Sequence, residues 1–435
     1  MRNLKVAFFG YSWHPHGHLD SYMAQHVEAI LDLGIDIDLY LGNYFTNRRG
    51  VIGLSSRIST SRLAFHIAQQ HYDFALSFNN SLLMPKVVDA LGCRAVSIIV
   101  DSQQHLFDHA EAGGYSAFDL DVAVAPIYRS LEHEIASAMP NVLTRFHFIP
   151  PATDPTSWRD ARRDGMMATN NVSWIASLVG DHFLDQLSAH ISRHNQFAGL
   201  LRECLAQISA TGYLNGFKIR SDVIALCASL GWEVDFLEVH LQNIATNNDR
   251  TDVVEELSQR GLLLYGNDRW NKLLSHSRAV ARSLMIGHRI SSYREQMDVY
   301  NTSKISINVP QIQAKTGMQY RILDVMASNA LLLTKHIDDS DLDFIFGGDF
   351  PAPRFHNHEQ LGKYVDHFLE NESERIALVD ECHALLGPEF SFRHRVRDYL
   401  MLSNPALPPE QWCSGFLGTL NAIPASTFTN WTGPR

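Results

Sequence analysis

Short apolar runs alternate with helical patterns over the first third of the chain. The candidate strands are the runs KVAFFG, DIDLYLG, FALSF, RAVSIIV, VAVAPI and TRFHFIP, and most of the segments between them repeat apolar residues at helical spacing. Alternation of this kind predicts a mainly parallel sheet with helices on both faces. We therefore predict a Rossmann-like N-terminal domain over residues 1–155.

The pattern breaks at the polar stretch PPATDPTSWRDARRDG, which indicates a linker, and then resumes. NNVSWIASLVG, GLLLYG, KISINVP and ALLLTK are candidate strands of a second Rossmann-like domain over residues 166–403. A mostly helical stretch at about 181–260 indicates an insertion in that domain. For the Pro-rich tail, residues 404–435, packing against the N-terminal domain is one option.

Composition narrows the class of protein. A chain of 435 residues with 45% hydrophobic and 19% charged residues is globular and long enough for two domains. The net charge of −11 and the lack of a basic stripe argue against nucleic acid or an anionic membrane as a partner, although a small phosphate ligand remains open. Five scattered cysteines without a C-x-x-C pair, and no apolar run of about 18 residues, favour a cytoplasmic chain without a transmembrane segment.

The segment Val299–Lys335 carries the clearest candidate chemistry. Lys304 opens a predicted strand, Asn308 lies on its polar face, and Thr316-Gly317 precede a helix predicted at Met318–Ser328. A glycine before a helix lets a phosphate approach free backbone N–H groups and the positive end of the helix dipole. Ligands of parallel sheets bind at the carboxyl ends of the strands, so we expect a site in the cleft where two such domains face each other.

Arg321 and Asp324 lie three residues apart in the predicted helix and therefore share a face. A guanidinium suits a diphosphate, and a carboxylate suits the hydroxyls of a ribose. The alternative, which the spacing leaves equally open, is an Arg–Asp pair on a solvated helix.

The loop after the first predicted strand, GYSWHPHGHLDSY, is rich in histidine. His16 or His18 is our candidate for handling the proton of an acceptor hydroxyl, because a histidine pKa lies near neutrality. A metal site at this loop is a weaker reading, since no matching cysteine or carboxylate set accompanies the histidines, and we predict none. Incidental histidines in a solvated loop are the third reading.

Asp101 ends the strand RAVSIIV, which places it at the same edge of the predicted N-terminal sheet. We take it as a candidate catalytic or acceptor-binding carboxylate. The competing reading is a helix cap.

Most of the chain, from about Ser97 onward, resembles the CgeB-like glycosyltransferases, a bacterial family of the GT-B fold. The likeness rests on the stretch VYNTSKISINVP…TGMQYRILDVMASNALLLT, on VSWIASL, LLYGNDRW, HFIPPATDP and IVDSQQHLFD, and on the terminal FSFRHRVRDYL. Asp324 stands where that family usually has a glutamate. Asn329 and Ala176 stand where it has glycines.

The resemblance implies two Rossmann-like domains facing across a cleft and a metal-independent transfer of sugar from a nucleotide-sugar donor, with no other cofactor. It implies that the C-terminal domain holds the donor. It also adds Gly266 to the donor-binding candidates that the spacing indicates. The full set of donor-binding candidates is Gly266, Lys304, Asn308, Thr316, Gly317, Arg321 and Asp324.

Three functions stay open at this point. The leading one is a glycosyltransferase acting on a glycan, a protein or a small molecule. A nucleotide-sugar epimerase would share the fold and the donor but need no acceptor. A non-catalytic protein that binds a nucleotide sugar or a carbohydrate is the third, and the departures at Asp324 and Ala176 favour it.

Overall fold

A computed structural model describes most of the chain, which divides into two compact units. The described residues are 3–12, 19–43, 59–79, 81–100, 122–132, 146–179, 234–311, 314–348, 350–407 and 416–428, with isolated positions between 199 and 229 and between 409 and 412. One unit consists of Met1–Pro155 and Gly387–Arg435, and the other of Thr156–Leu386.

The described strands and helices alternate along most of the chain. The strands are β1 Lys5–Ser12, β2 Asp36–Asn43, β3 Phe74–Phe78, β4 Ala95–Ile99, β5 Val122–Pro126, β6 Asn170–Ile175, β7 Leu262–Tyr265, β8 Ser303–Asn308, β9 Leu331–Lys335, β10 Arg354–Phe355 and β11 Leu420–Pro424. The α-helices are α1 Ser21–Asp32, α2 Thr60–Ala68, α3 Pro85–Leu91, α4 Ser157–Arg163, α5 Val234–Leu257, α6 Arg278–Ser283, α7 Tyr293–Asn301, α8 Tyr320–Met326, α9 Asp341–Phe346, α10 His358–Glu370, α11 Glu372–Ala384 and α12 Phe392–Ser403.

The first unit is built on a six-stranded sheet in the order β11-β2-β1-β3-β4-β5, in which every neighbouring pair is parallel. Strands β3, β4 and β5 are buried along their whole length, as expected when helices cover both faces of a parallel sheet. Helices α2 and α3 contribute Leu63, Ile67 and Val87 to a core with Phe9 of β1.

The terminal helix α12 corrects the predicted domain boundary at residue 403. It packs against α1 and against strands β3 and β4, so it belongs to the first unit rather than the second. Ser403 at its end accepts a hydrogen bond from the Ala75 backbone N–H (3.0 Å) and donates one to the Arg94 carbonyl (2.6 Å). The helix pattern was legible in the sequence, but an amphipathic helix does not reveal which sheet covers its apolar face.

The chain after α12 also returns to the first sheet. Strand β11 pairs in parallel with β2, and Thr419 donates from its backbone N–H and its hydroxyl to Asp36 (2.8 and 2.7 Å). The short 3₁₀ helix Ala425–Phe428 that follows places Phe428 against Tyr40 and His66. The tail is therefore part of the architecture of this unit.

The second unit holds a five-stranded parallel sheet in the order β10-β9-β8-β6-β7. Its core gathers the side chains of Trp174, Trp270, Leu264, Ile305 and Leu331, all of them buried. Most of the predicted helical insertion at 181–260 lies outside the described residues, and its last part forms helix α5. Within the described part of the chain, no helix has the length and apolar character needed to cross a membrane.

His26 on α1 is a buried histidine that should make the first unit acid-sensitive. Its Nδ1–H donates to the Tyr22 carbonyl (2.7 Å), and its ring packs among Phe78, Phe392 and Tyr399. Burial lowers the pKa of His26 to about 4. A folded-state pKa below the unfolded value means that stability is full above pH 6.5 and is lost as the pH falls towards 4.

We expect this loss to reach about 2 kcal/mol at pH 5. The measurement is the melting temperature of the wild type and of a His26→Phe variant at pH 7.5 and pH 5.0. The variant cannot titrate at this position, so its melting temperature should fall less on acidification. Equal acid sensitivity in the two proteins would show that His26 does not carry the effect.

Candidate functional site

The topology of the second sheet indicates where a ligand would bind. The chain enters at β6 in the middle of the sheet, continues to β7 on one side and then crosses to β8 on the other. Strand order therefore reverses between β6 and β8, and in open α/β sheets ligands bind at such a reversal, outside the carboxyl ends of the strands. The segments that follow β6 and β8 accordingly define the candidate site.

Asn308 lies at the carboxyl end of β8, at the reversal point. Its side chain is fully buried, and its amide Nδ2 donates to Thr334 Oγ1 on the neighbouring strand (3.0 Å). The Asn308 Oδ1 atom is buried and has no hydrogen-bond partner among the described residues. A buried hydrogen-bond acceptor without a partner costs free energy, so the Asn308 Oδ1 atom needs an explanation.

The Thr316-Gly317 turn follows β8 and is hydrogen-bonded to Asp341 at the start of helix α9. The Thr316 hydroxyl donates to Asp341 Oδ2 (2.9 Å), and the Asp341 backbone N–H donates to the Thr316 carbonyl (2.8 Å). Gly317 has φ +85°, and a Cβ at this position would clash with Ile337. The positive φ favours glycine here, and a larger residue would also push the Cδ1 end of the Ile337 side chain aside.

The helix after this turn starts later than predicted. Helix α8 begins at Tyr320 and ends at Met326, and its N-cap residue Gln319 makes no side-chain cap. Gly317 therefore lies three residues before the helix rather than immediately at its N-terminus. The prediction of a glycine directly at the helix start is corrected.

Arg321 lies in the first turn of α8. Its Nη1 atom is buried and has no hydrogen-bond partner among the described residues, although the side chain as a whole is only half-buried. Burial raises the pKa of Tyr300, the adjacent Arg321 guanidinium opposes that rise, and Asp324 reinforces it. Arg321 thus combines a positive charge next to Tyr300 with an Nη1 atom that has no partner among the described residues.

Asp324 does not lie where a ribose could reach it. Its side chain is 0% exposed. Its Oδ1 accepts from the Tyr293 hydroxyl (3.0 Å), and its Oδ2 accepts from Gln296 Nε2 (2.7 Å). The predicted ribose contact is therefore not supported, and the carboxylate instead joins α8 to α7.

Lys304 was also predicted to bind the donor, and the structure contradicts this. It is the second residue of β8, and its Nζ atom donates to Asn171 Oδ1 (3.4 Å) near the start of β6. Four residues of strand, about 13 Å, separate it from Asn308. Lys304 therefore lies at the amino end of the sheet, opposite the edge where ligands bind.

Gly266, the remaining donor-binding candidate, has a structural reason to be glycine. A Cβ at this position would clash with the indole of Trp270 and crowd the Ala176 carbonyl oxygen. The Trp270 indole N–H itself donates to that carbonyl (2.8 Å). Gly266 thus permits close packing beneath the end of β6 rather than the approach of a ligand.

Sequence reasoning missed the segment after β6, residues Ala176–Val179, which we call the β6 loop. Side chains from α5 and from the 3₁₀ helix Asp268–Leu273 with its N-cap bind its backbone: Asn247, Arg250, Asn267, Arg269 and Trp270. These residues are 68 to 94 positions away from the loop. No local pattern could have revealed them.

The catalytic candidates of the first unit, His16, His18 and Asp101, lie outside the described residues. The described neighbours at the carboxyl ends of β1, β3 and β4 form a polar cluster. Asn79 has φ +48°, donates from Nδ2 to the Tyr11 hydroxyl (3.0 Å) and accepts from the Val100 backbone N–H (2.9 Å). The Ser81 hydroxyl donates to the Gly10 carbonyl (3.2 Å).

No cluster of three His, Cys, Asp or Glu side chains suited to a metal ion occurs within the ranges that the structure describes.

Comparison with known proteins adds a class of activity to this geometry. Residues 250–401 match the family model described as glycosyl transferase-like. That match contains the Thr316-Gly317 turn, α8 and four of the five residues that bind the β6 loop. No curated protein sequence matches the chain significantly.

Solved glycosyltransferase structures share the fold. One from Rickettsia africae superposes with a TM-score of 0.53 at 8% identity, covering 92% of this chain and 98% of its own. HepE from Anabaena, in complex with UDP-glucose, gives a TM-score of 0.52 at 9% identity, covering 91% and 98%. At such low sequence identity, the similarity to these structures shows the fold alone.

The prediction of an α/β fold of the GT-B kind is therefore confirmed. The prediction of a glycosyltransferase is confirmed at the level of the matched domain, and the epimerase alternative is not favoured.

Proposed function

We propose that the protein transfers a sugar from a nucleotide-sugar donor, bound at the carboxyl edge of the second sheet, to an acceptor hydroxyl. The observation that carries the proposal is the position of the glycosyl transferase-like match. Residues 250–401 include the whole segment from Asn308 to Arg321, and this segment follows the strand at which the sheet order reverses.

The chemistry of the transfer assigns a task to each group. The bond between the anomeric carbon and the diphosphate oxygen breaks, a bond to the acceptor oxygen forms, and the acceptor proton passes to a base. Negative charge develops on the leaving diphosphate, where a preorganised cation stabilises the transition state most. Arg321 fits this role because its guanidinium retains an unpaired, buried Nη1 atom.

Two further groups of the second unit would support the donor. The Thr316-Gly317 turn is fixed by its bonds to Asp341 and offers backbone beside Arg321. Asn308, which is 0% exposed, would support the site from beneath through its hydrogen bond to Thr334 rather than by touching the donor.

We assign the acceptor to the first unit, with His16 or His18 as the base and Asp101 as an accompanying carboxylate. A histidine near neutrality takes a hydroxyl proton efficiently. The proposal extends to a CgeB-like, cytoplasmic bacterial enzyme that works without a metal and without a cofactor besides its donor. A glycan is the first acceptor class to test, followed by proteins and small molecules.

The experiment is a screen of UDP-, GDP-, TDP- and CMP-sugars by calorimetry and product analysis. Because HepE was solved with UDP-glucose, UDP-sugars are the first to examine. We expect one donor class to bind, to be hydrolysed slowly alone, and to yield a glycoside with an acceptor, in the presence of EDTA as well. Epimerised donor without acceptor would point to an epimerase, and binding without any turnover to a binding protein. Loss of activity in EDTA, restored by Mn²⁺ or Mg²⁺, would refute the metal-independent assignment.

A further inference from the structure

The outer edges of the two sheets differ in how they are covered. At β5, the Ile149 backbone N–H donates to the Pro126 carbonyl (3.1 Å), and at β7 the Met285 N–H donates to the Leu264 carbonyl (2.9 Å), so a neighbouring segment covers each of these edges. Strand β10 is only two residues long. Strand β11 has five residues and ends the first sheet, with no strand on its outer side within the described part of the chain.

The backbone of β11 directs alternate residues towards β2 and away from it. The Ile37 N–H of β2 donates to the Thr419 carbonyl (2.8 Å), and Leu420 is the residue aligned with Ile37. In a parallel pair of this register, the odd-numbered residues of β11 bond to β2, and the backbone groups of Leu420, Ala422 and Pro424 point outward. All three residues are exposed. Leu420 and Ala422 each offer an N–H and a carbonyl there, whereas Pro424 offers a carbonyl alone.

Strand β11 is held in place on its inner side by polar side chains as well as by the sheet. Asn421 Nδ2 donates to Asp38 Oδ1 (3.0 Å), and Thr419 bonds to Asp36 through its backbone N–H and its hydroxyl. Asp38 is itself fixed, because its Oδ2 accepts from the Tyr72 hydroxyl (2.7 Å). The outward backbone groups of β11 therefore have fixed positions, and a partner strand would not have to order them first.

The segment 416–428, which contains β11, exposes large apolar side chains and carries no charge. Phe416, Leu417 and Leu420 are 82%, 71% and 48% exposed. None of the residues in this segment is Asp, Glu, Lys, Arg or His, although charged residues make up 19% of the chain. Natural proteins commonly place a charge, often a lysine, on an open strand edge to prevent pairing with another chain. This edge has no such protection.

The charge of the whole chain favours a second copy as the partner. Two copies with a net charge of −11 each repel one another in general, and a neutral segment is where they approach at the smallest electrostatic cost. A strongly basic or acidic partner would gain nothing from an uncharged strand. A second copy brings an identical open edge, whose outward N–H and carbonyl groups match those of the first.

We propose that β11 is the contact between two copies of this chain, which pair edge to edge and antiparallel about a two-fold axis at Ala422. In this register the two Ala422 residues exchange two backbone hydrogen bonds, and each Leu420 N–H donates to the partner's Pro424 carbonyl. The pairing joins the two first units into one continuous sheet and covers both open edges. A two-fold contact of this kind is closed, so association stops at the dimer. The inference is independent of the proposed sugar transfer.

The test is sedimentation velocity of the full chain over a range of concentrations, with the melting temperature as a check on folding. We expect the wild type to form a dimer. Ala422→Lys and Ala422→Glu each place like charges directly opposite one another across the two-fold axis, and each should raise the dissociation constant of the dimer about tenfold or more. An equal mixture of the two variants should regain the dimer, because position 422 then meets the opposite charge.

Two further variants separate the contact from general effects of charge and folding. Ile376→Lys is the matched control: Ile376 is 41% exposed on α11, so this variant makes the same change of charge away from β11 and should dimerise like the wild type. Ala422→Pro removes the outward N–H but no bond to β2, so it should weaken the dimer about tenfold with little change in melting temperature.

Three results would each overturn the proposal and leave the proposed function standing. They are a wild type that stays monomeric at every concentration, a dimer that Ala422→Lys leaves intact, and a mixture of the Ala422→Lys and Ala422→Glu variants without recovery of the dimer. If Ala422→Pro failed to fold, the pair of charged variants would still decide, because an exposed edge strand accepts a lysine or a glutamate.

Discussion

Arg321→Ala should lower kcat/KM for the nucleotide-sugar donor by about 30- to 1000-fold. A single charge-assisted contact that strengthens as the diphosphate leaves contributes about 2–4 kcal/mol to transition-state stabilisation. The Nη1 atom of Arg321 is buried without a partner among the described residues. We therefore expect steady-state kinetics to change far more than the melting temperature.

Two further variants sharpen this result. Arg321→Lys should recover only part of the loss, because an ammonium lacks the planar fork of a guanidinium. Arg375→Ala is the control: Arg375 is also largely buried, but it donates to the Lys304 carbonyl (3.3 Å) at the amino end of the sheet. It should lower stability and leave kcat/KM within a few-fold. Similar kinetics for Arg321→Ala and wild type would require the diphosphate assignment to be abandoned.

Gly317→Ala should destabilise the second unit by about 2–5 kcal/mol and impair donor binding together with it. A φ of +85° costs a non-glycine residue about 1–2 kcal/mol, and the added Cβ clashes with Ile337, which costs a further 1–3 kcal/mol, roughly. Relief of the clash would move the turn away from Asp341, and with it the backbone beside Arg321.

The control for backbone strain is Gly287→Ala. Gly287 has φ +78°, but a Cβ there would meet no described atom within 4 Å, so only the conformational cost of about 1–2 kcal/mol remains. The double variant Gly317→Ala/Ile337→Val removes the Cδ1 atom that obstructs the new Cβ and should regain stability and donor affinity. Chemical denaturation and calorimetry measure both. If the double variant were no better than Gly317→Ala, the contact with Ile337 would not be the cause.

Nine of the eleven described strands, β1 to β9, could be predicted because a buried parallel strand is a short, continuous apolar run, whereas β10 and β11 were not predicted. The run LLLT of β9 and the run RAVSII around β4 needed no information beyond their own residues. Where a strand ends also decides which of its residues can meet a ligand. Lys304 is the second residue of β8, so the same rule places it at the amino end of the strand, away from the edge where ligands bind.

What could not be predicted are contacts between distant segments. An aspartate is usually found at the surface. Asp324 is buried because its carboxylate accepts hydrogen bonds from Tyr293 and Gln296, which lie 31 and 28 positions away. The asparagines and arginines that bind the β6 loop are separated from it in sequence by a long insertion. Polar residues carry no periodicity that would reveal such partners, since their pairing is set by tertiary structure alone.

The return of β11 and α12 to the first unit bears on how the protein is made. The second unit is continuous in sequence, whereas the first needs residues 387–428 to cover α1 and the edge of β2. During synthesis from the N-terminus, the segment that begins the chain therefore emerges first but is completed last. Until then the nascent first unit presents an unpaired strand edge and an uncovered apolar helix face, so its maturation depends on the chain beyond the second unit having left the ribosome.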